Sequence, residues 1–184
     1  LAQSTLQAAI DYDNEMVTCY VLVEAAIPLA ILSGDLVKAR EAIAGLRERA
    51  SRMSFPIWIA VCACYEQCVV ATASPNPGQL RVFSIAIERL AQTGFRAPLT
   101  FLLCRYGQAL AKCGDAMNAL KAVDQAIEHG DVTGERWLYA ELCRVKKLIL
   151  SSRENGPLYW GVKHISPPRT DTLQHGDSVH AFDI

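Results

Sequence analysis

The side chains that could carry chemistry here are seven cysteines, four histidines and scattered carboxylates. Cys62, Cys64 and Cys68 stand close together, and Cys64 and Cys68 share a face if the segment is helical. Two thiolates at that spacing could hold half of a zinc site, but a structural site takes four ligands and no histidine lies near in sequence. Their surroundings are apolar, so we read them as small buried hydrophobes, together with Cys19, Cys104, Cys113 and Cys143. His164, His175 and His180 fall near the C-terminal end beside Asp171, Asp177 and Asp183. Such a set could ligate a transition metal, yet its spacing matches no motif with a mechanism. We therefore expect no metal and no cofactor.

Catalytic signatures are equally sparse. No glycine is followed by lysine, so there is no Walker-type phosphate loop, and neither Gly-x-Ser-x-Gly nor His-Glu-x-x-His occurs. Glu41, Glu48 and Glu88 sit near arginines at helical spacing, as on a solvated face. The one dense basic run, Arg40, Arg47, Arg49 and Arg52, is interleaved with Glu41 and Glu48. That pattern reads as surface rather than as a DNA contact. No catalytic residue is expected, and the chain is not expected to be an enzyme.

The elements that must position these residues are helical. The chain has 184 residues, is 51% hydrophobic and 20% charged, and carries a formal charge of -1. It can bury a core, it is too apolar for a disordered acidic chain, and it lacks the charge for a nucleic-acid surface. Unpaired cysteine spacing points to a reducing compartment, hence a cytoplasmic location. Leu1 opens the chain without a leader pattern, and we expect a piece of a longer protein.

From Asn14 to Ser152, apolar runs of roughly 15–20 residues alternate with breakers, the usual helix length. The breakers are Ser33 to Asp35, Ser54 to Pro56, Ser74 to Gly78, Thr93-Gly94, Cys113 to Asp115 and Gly130 to Gly134. This pattern predicts about seven helices and no strands. Pro56 and Pro98 suit first-turn positions, and Pro28 should kink its helix. Ile57 to Ala73 and Met16 to Leu32 are apolar nearly all round. They read as buried inner helices rather than membrane spans, being shorter than about 20 apolar residues and interrupted by polar ones.

Leu32 to Ala39 matches Lys112 to Ala119 in spacing: a Gly-Asp turn, an alanine five residues after the glycine, then a second helix. The offset of 80 residues is two units of about 40, with the intervening turn degenerate at Pro75 to Gly78. A helical hairpin repeated at that period reads as an α-solenoid.

Leu103 to Ala126 resembles the tetratricopeptide repeat. Gly107 and Ala119 stand at its small positions, Gly114 at the turn, Ala126 at the close, and Leu103, Leu110 and Val123 at large apolar positions. The first unit keeps Gly34, Ala39 and Ile43 but has Ile27 for the small residue, and the last has Lys147 there. Tyr20 to Asp35, Thr93-Gly94-Phe95, Thr133 to Trp137 and Ala140 to Lys146 resemble a narrower family. It is the C-terminal repeat region of large bacterial transcriptional regulators that join a winged-helix domain to a signalling ATPase module. Similar repeats also follow adenylate-cyclase domains.

The resemblance implies an all-α, right-handed superhelix of helix-turn-helix hairpins. Residues 1–13 would be the remnant of a preceding hairpin, carrying Leu6 and Ile10. Residues 14–152 would form the repeat domain and 153–184 an irregular tail. Within the tail, Leu158, Tyr159, Trp160, Val162 and Ile165 are expected to dock on an apolar face. The function implied is a non-catalytic module binding a protein, a peptide, a small effector or other domains of its parent, without direct nucleic-acid or membrane contact. Placing the register on each first helix puts Glu24, Gln108, Lys112, Glu141 and Arg144 along the groove. The alternative is a structural element that oligomerises through exposed repeat ends or the tail.

Overall fold

The computed structural model describes residues 2–11 and 14–155. Every regular element in them is helical: α1 (Ala2–Asp11), α2 (Glu15–Val21), a π turn (Leu22–Ala26), α3 (Ile27–Leu32), α4 (Leu36–Met53), α5 (Pro56–Ala73), α6 (Pro77–Gln92), α7 (Leu99–Lys112), α8 (Ala116–Thr133) and α9 (Tyr139–Asn155). The π turn joins α2 and α3 into one unbroken rod, so the stretch from 14 to 152 holds the seven rods that the breakers predict. The expected contacts of Leu6, Ile10 and the 153–184 tail lie outside the described residues.

The breakers work by identifiable chemistry. At both Gly-Asp turns the glycine takes a positive φ, +79° at Gly34 and +84° at Gly114, where a Cβ would be strained. The aspartate N–H then reaches back to a carbonyl of the finished helix, Asp35 to Ala30 and Asp115 to Leu110, at 2.9 and 3.0 Å. Its carboxylate caps the next helix, accepting from the Lys38 and Asn118 N–H groups at 3.1 Å each. Asn76 caps α6 in the same way. Pro56 and Pro77 occupy first helical positions, whereas Pro98 is the residue just before α7.

A finer rhythm emerges from the backbone. The positive-φ residues Gly34, Ser54, Gly94, Gly114 and Gly134 fall at multiples of 20 residues. One beat is missing, at 74, where an extended Ser74 leads into the Pro75-Asn76-Pro77 turn. Each period is thus one helix plus one turn.

Packing obeys that rhythm. Each rod packs on its neighbours in sequence, and in addition α3 touches α5, α5 touches α7 and α7 touches α9. Helix α5 sits among α3, α4, α6 and α7. The expectation of an inner helix holds for it, since only its ends and Ile59 are exposed. The Met16 to Leu32 rod is buried at Cys19, Leu22, Val23, Ile27 and Ile31, where α1, α4 and α5 cover it, and leaves Val17, Tyr20, Leu29 and Leu32 exposed.

Helices α7 and α8 make the most extensive pairing, and Gly107 explains it. A Cβ there would lie 2.7 Å from Val123 Cγ2 and 3.0 Å from the Ala119 carbonyl oxygen. Ala119, Val123 and Ala126 opposite are fully buried. Gly107→Ala should therefore lower the unfolding free energy by about 1–3 kcal/mol through overpacking. Gly45→Ala, whose Cβ would meet only the far end of the Arg49 side chain, should instead raise it by roughly 0.5–1 kcal/mol. Urea midpoints that move equally in both variants would remove this account of the α7–α8 approach.

Candidate functional site

An open depression lies where the first rod faces the last. Leu29 and Leu32 on α3 form one wall. Trp137 and Leu138 from the α8–α9 turn, with Ala140, Glu141 and Arg144 on α9, form the other. The cleft between them has a volume of about 430 Å³.

Its walls are set by a local irregularity. In the π turn the Ile27 N–H bonds to the Leu22 carbonyl, five residues back. The Val23 carbonyl has thereby lost its usual donor, and the next candidate, Pro28, has no N–H. The Tyr65 hydroxyl, fully buried on α5, donates to that carbonyl at 2.7 Å. Pro28 does not end or break the rod: the irregularity is the π turn before it. From Tyr65 a column of rings runs outward. Phe101 lies 6.1 Å away, and Trp137 stacks on Phe101 at 6.2 Å with 16° between planes. Trp137 ends the column 51% exposed, in the cleft.

The five residues placed along the groove by register separate into three groups. Gln108, Glu141 and Arg144 come together in one network. Gln108 Nε2 donates to Glu141 Oε1 at 2.9 Å, and Arg144 donates through Nε and Nη2 to the two carboxylate oxygens at 2.6 and 2.7 Å. These bonds, Arg144's above all, hold the Glu141 carboxyl below its ordinary pKa. Lys112, exposed at the end of α7, is outside this network. Partial burial and then the nearby Arg105 pull its pKa down.

Glu24 stands alone, on the π turn. Its side chain is exposed, with nearby protein desolvating the carboxyl only in part. That partial desolvation, and then the negative charge of Glu135, push its pKa up to about 7. Glu135, on the α8–α9 turn, has one carboxylate oxygen buried with no hydrogen-bond partner.

Register alone does not find Glu135, Trp137, Leu29 or Leu32. The Thr133 to Trp137 turn carries the available signal, since it repeats Thr93 to Arg96 as Thr-Gly-x-Arg at the 40-residue period. In that frame Trp137 replaces Ala97, so a large ring stands where a small residue is found one unit earlier.

Cys19, Cys62, Cys64, Cys68 and Cys104 are buried, and burial pushes the last four up to about 12. Among the described residues no three histidine, cysteine or acidic side chains cluster as a metal site would require, and the 164–180 histidines lie outside them. Arg49 and Arg52 both bridge to Glu15 on α2, at 2.9 and 2.7 Å, and Arg47 bridges to Glu66 on α5. Arg47, Arg49 and Arg52 thus find their partners on neighbouring helices rather than in Glu41 and Glu48. The 18-residue stretches Glu15–Leu32 and Pro56–Ala73 have mean hydropathies of 1.8 and 1.4 and are long and apolar enough to cross a membrane, by length and composition.

No family model matches the chain, and no curated protein or solved structure resembles it significantly.

Two measurements test this geometry. A thiol reagent should label exposed Cys143 first and half-buried Cys113 next, with the five buried thiols reacting only at the rate of unfolding. Rapid native labelling at Cys64 or Cys68 would overturn their place in the core. Glu24 sets a pH dependence. The folded carboxyl keeps its proton to about pH 7, while an unfolded one loses it near 4.5, so the native chain binds the extra proton between those values. Its contribution is complete below 4.5 and is lost as pH rises through 7. The melting temperature of the native sequence should therefore fall relative to Glu24→Gln between about pH 5 and 8. Parallel curves would mean that Glu24 is freely hydrated.

Proposed function

We propose that this chain is a tetratricopeptide-like, right-handed α-solenoid that serves as an interaction module. The reading is supported by the 20-residue rhythm of left-handed turns, the contacts between alternate helices and the small residue at the α7–α8 crossing. In the proposed role it is the C-terminal repeat arm of a bacterial transcriptional regulator or signalling ATPase, working in the cytoplasm without catalysis. The observation that carries the function is the cleft between α3 and α9. There Leu29, Leu32 and Trp137 stay exposed at 47, 38 and 51% beside the Glu141–Arg144 pair. Half-exposed apolar side chains lining a concave wall, with a few fixed polar groups, are the usual make-up of a recognition site.

The test is selection of displayed peptides on the 184-residue chain, followed by the variant Leu29→Ser/Trp137→Ala. Loss of binding by at least about tenfold, with an unchanged far-ultraviolet spectrum, is expected. Selected peptides that bind the variant equally well would place recognition elsewhere.

A second reading, oligomerisation, is favoured by α9. This last described helix leaves Tyr139, Cys143 and Leu150 exposed along one face. A following hairpin, or a second copy, would cover that face. Sedimentation across a wide concentration range separates the two readings, because self-association through α9 would register as a mass that rises with concentration.

A further inference from the structure

We propose that the trough between α4 and α5 is a second recognition surface, fitted to an acidic–aliphatic peptide. An aspartate or glutamate carboxylate of the peptide pairs with Arg40, and an adjoining aliphatic side chain lies on Ala44 and Val70. The trough shares no residue with the α3–α9 cleft, and the inference does not depend on what that cleft binds.

The trough follows from the spacing of residues on α4. Arg40, Ala44 and Arg47 recur at intervals of four and three, so they share one face of the helix. A methyl group between two long side chains leaves a notch, and α5 lines its other side with Glu66, Val69 and Val70, again at helical spacing. Ile43 and Val69 form a buried floor, whereas Ala44 is exposed and Val70 half-buried. The space measures about 310 Å³, is largely apolar, and is lined by α4 and α5 alone among the described residues. Such a space accepts a few aliphatic side chains rather than a folded domain.

The charges that line the trough are unbalanced. Arg47 is engaged across it: its Nε donates to Glu66 Oε1 at 3.0 Å, and its Nη2 donates to the same oxygen. Arg40 forms no ion pair among the described residues. Glu41, the next residue, does not line the trough. Two guanidinium groups against one carboxylate leave a net positive charge beside an aliphatic surface. A cationic ligand would meet Arg40 as a like charge, and a neutral apolar one would leave it unpaired. A carboxylate beside an aliphatic side chain satisfies both demands, since an arginine binds a carboxylate through two parallel hydrogen bonds. One free guanidinium also matches the single charge of a carboxylate better than that of a phosphate group, which is usually taken by a cluster of arginines. A peptide carries the two groups on neighbouring residues, and its backbone can lie along a trough that no third helix lines.

The experiment uses the full chain and a displayed library of random peptides, with the binders then sorted by the variants that abolish them. A class with aspartate or glutamate beside leucine, isoleucine or valine should emerge. A fluorescein-labelled member of it should lose at least about tenfold in affinity with Arg40→Gln. Ala44→Trp, which fills the notch from an exposed position, should weaken it to the same degree, whereas Leu29→Ser/Trp137→Ala should leave it unchanged. Converting the peptide's acidic residue to its amide should weaken binding as much with the native chain and have almost no effect with Arg40→Gln, as direct pairing requires. That substitution lies in the peptide and is independent of how either variant folds. Absence of the acidic–aliphatic class, or binding indifferent to Arg40→Gln and Ala44→Trp, overturns the inference and leaves the α3–α9 reading standing. Equal losses from the amide peptide in both backgrounds mean that Arg40 is not its partner, and the inference fails. Acidic peptides that depend on Leu29 and Trp137 instead belong to the cleft, with the same consequence. If peptides bind only after removal of residues 156–184, the chain's own C-terminal segment fills the trough and the inference also fails. If Ala44→Trp alters only sedimentation, the occupant is a second copy, and it fails again.

Discussion

Helix α5 is apolar over most of its surface, and this constraint organises the molecule. From Pro56 to Ala73 it presents aromatic, aliphatic and cysteine side chains in most directions, with one strip through Ile59, Ala63, Glu66 and Val70 partly in water, so no single neighbour can cover it. It is enclosed by α3, α4, α6 and α7 together, which forces the chain to come back to α5 from both sides of the sequence. Enclosure creates its own demand, because Tyr65 goes in with its hydroxyl and a buried hydroxyl without a partner costs about 1–3 kcal/mol. The acceptor is the Val23 carbonyl that the π turn and Pro28 leave without a helical donor. Two local defects, a polar atom on an apolar helix and an orphaned carbonyl, satisfy each other and fix the first rod against α5.

That single contact has consequences at the cleft. The π turn changes the helical phase between Tyr20 and Leu29, so the exposed apolar side chains of the rod do not form one straight stripe. Tyr20 turns toward Trp58 and Phe95, with ring centroids 5.1 and 6.1 Å away, while Leu29 and Leu32 face Trp137. On the opposite wall, Phe101 touches Tyr65 on one side and Trp137 on the other. Both walls are thus referred to the same buried tyrosine, one through the first rod and the other through the α8–α9 turn.

Much of this is legible in the residues, for physical reasons that also mark where legibility stops. Gly34-Asp35 and Gly114-Asp115 announce their turns because the glycine permits the left-handed backbone and the aspartate caps the next helix. Gly107 announces a close crossing because its register places it opposite Ala119. The second family of turns is less visible, since Ser54 occupies a left-handed position, φ 53°, without being glycine. The Met16 to Leu32 run reads as a buried inner helix, yet part of its apolar surface stays exposed, because apolar periodicity reports what a helix can bury. It does not report how many neighbours arrive to bury it. A π turn is hidden for a related reason: adding one residue to a turn changes the phase without changing composition.

The charges of the scaffold are then of two kinds. Arg47, Arg49 and Arg52 are spent on Glu66 and Glu15, ion pairs at the surface that each contribute little to stability but join neighbouring helices. Glu24 and Glu135 form no such pair among the described residues, and an oxygen of Glu135 is buried without a partner. Elsewhere on the surface the ring of Trp137 and the side chains of Leu29 and Leu32 remain partly in water. Unpaired charge and uncovered apolar surface are both unfavourable for the isolated fold, so stability alone does not account for either feature.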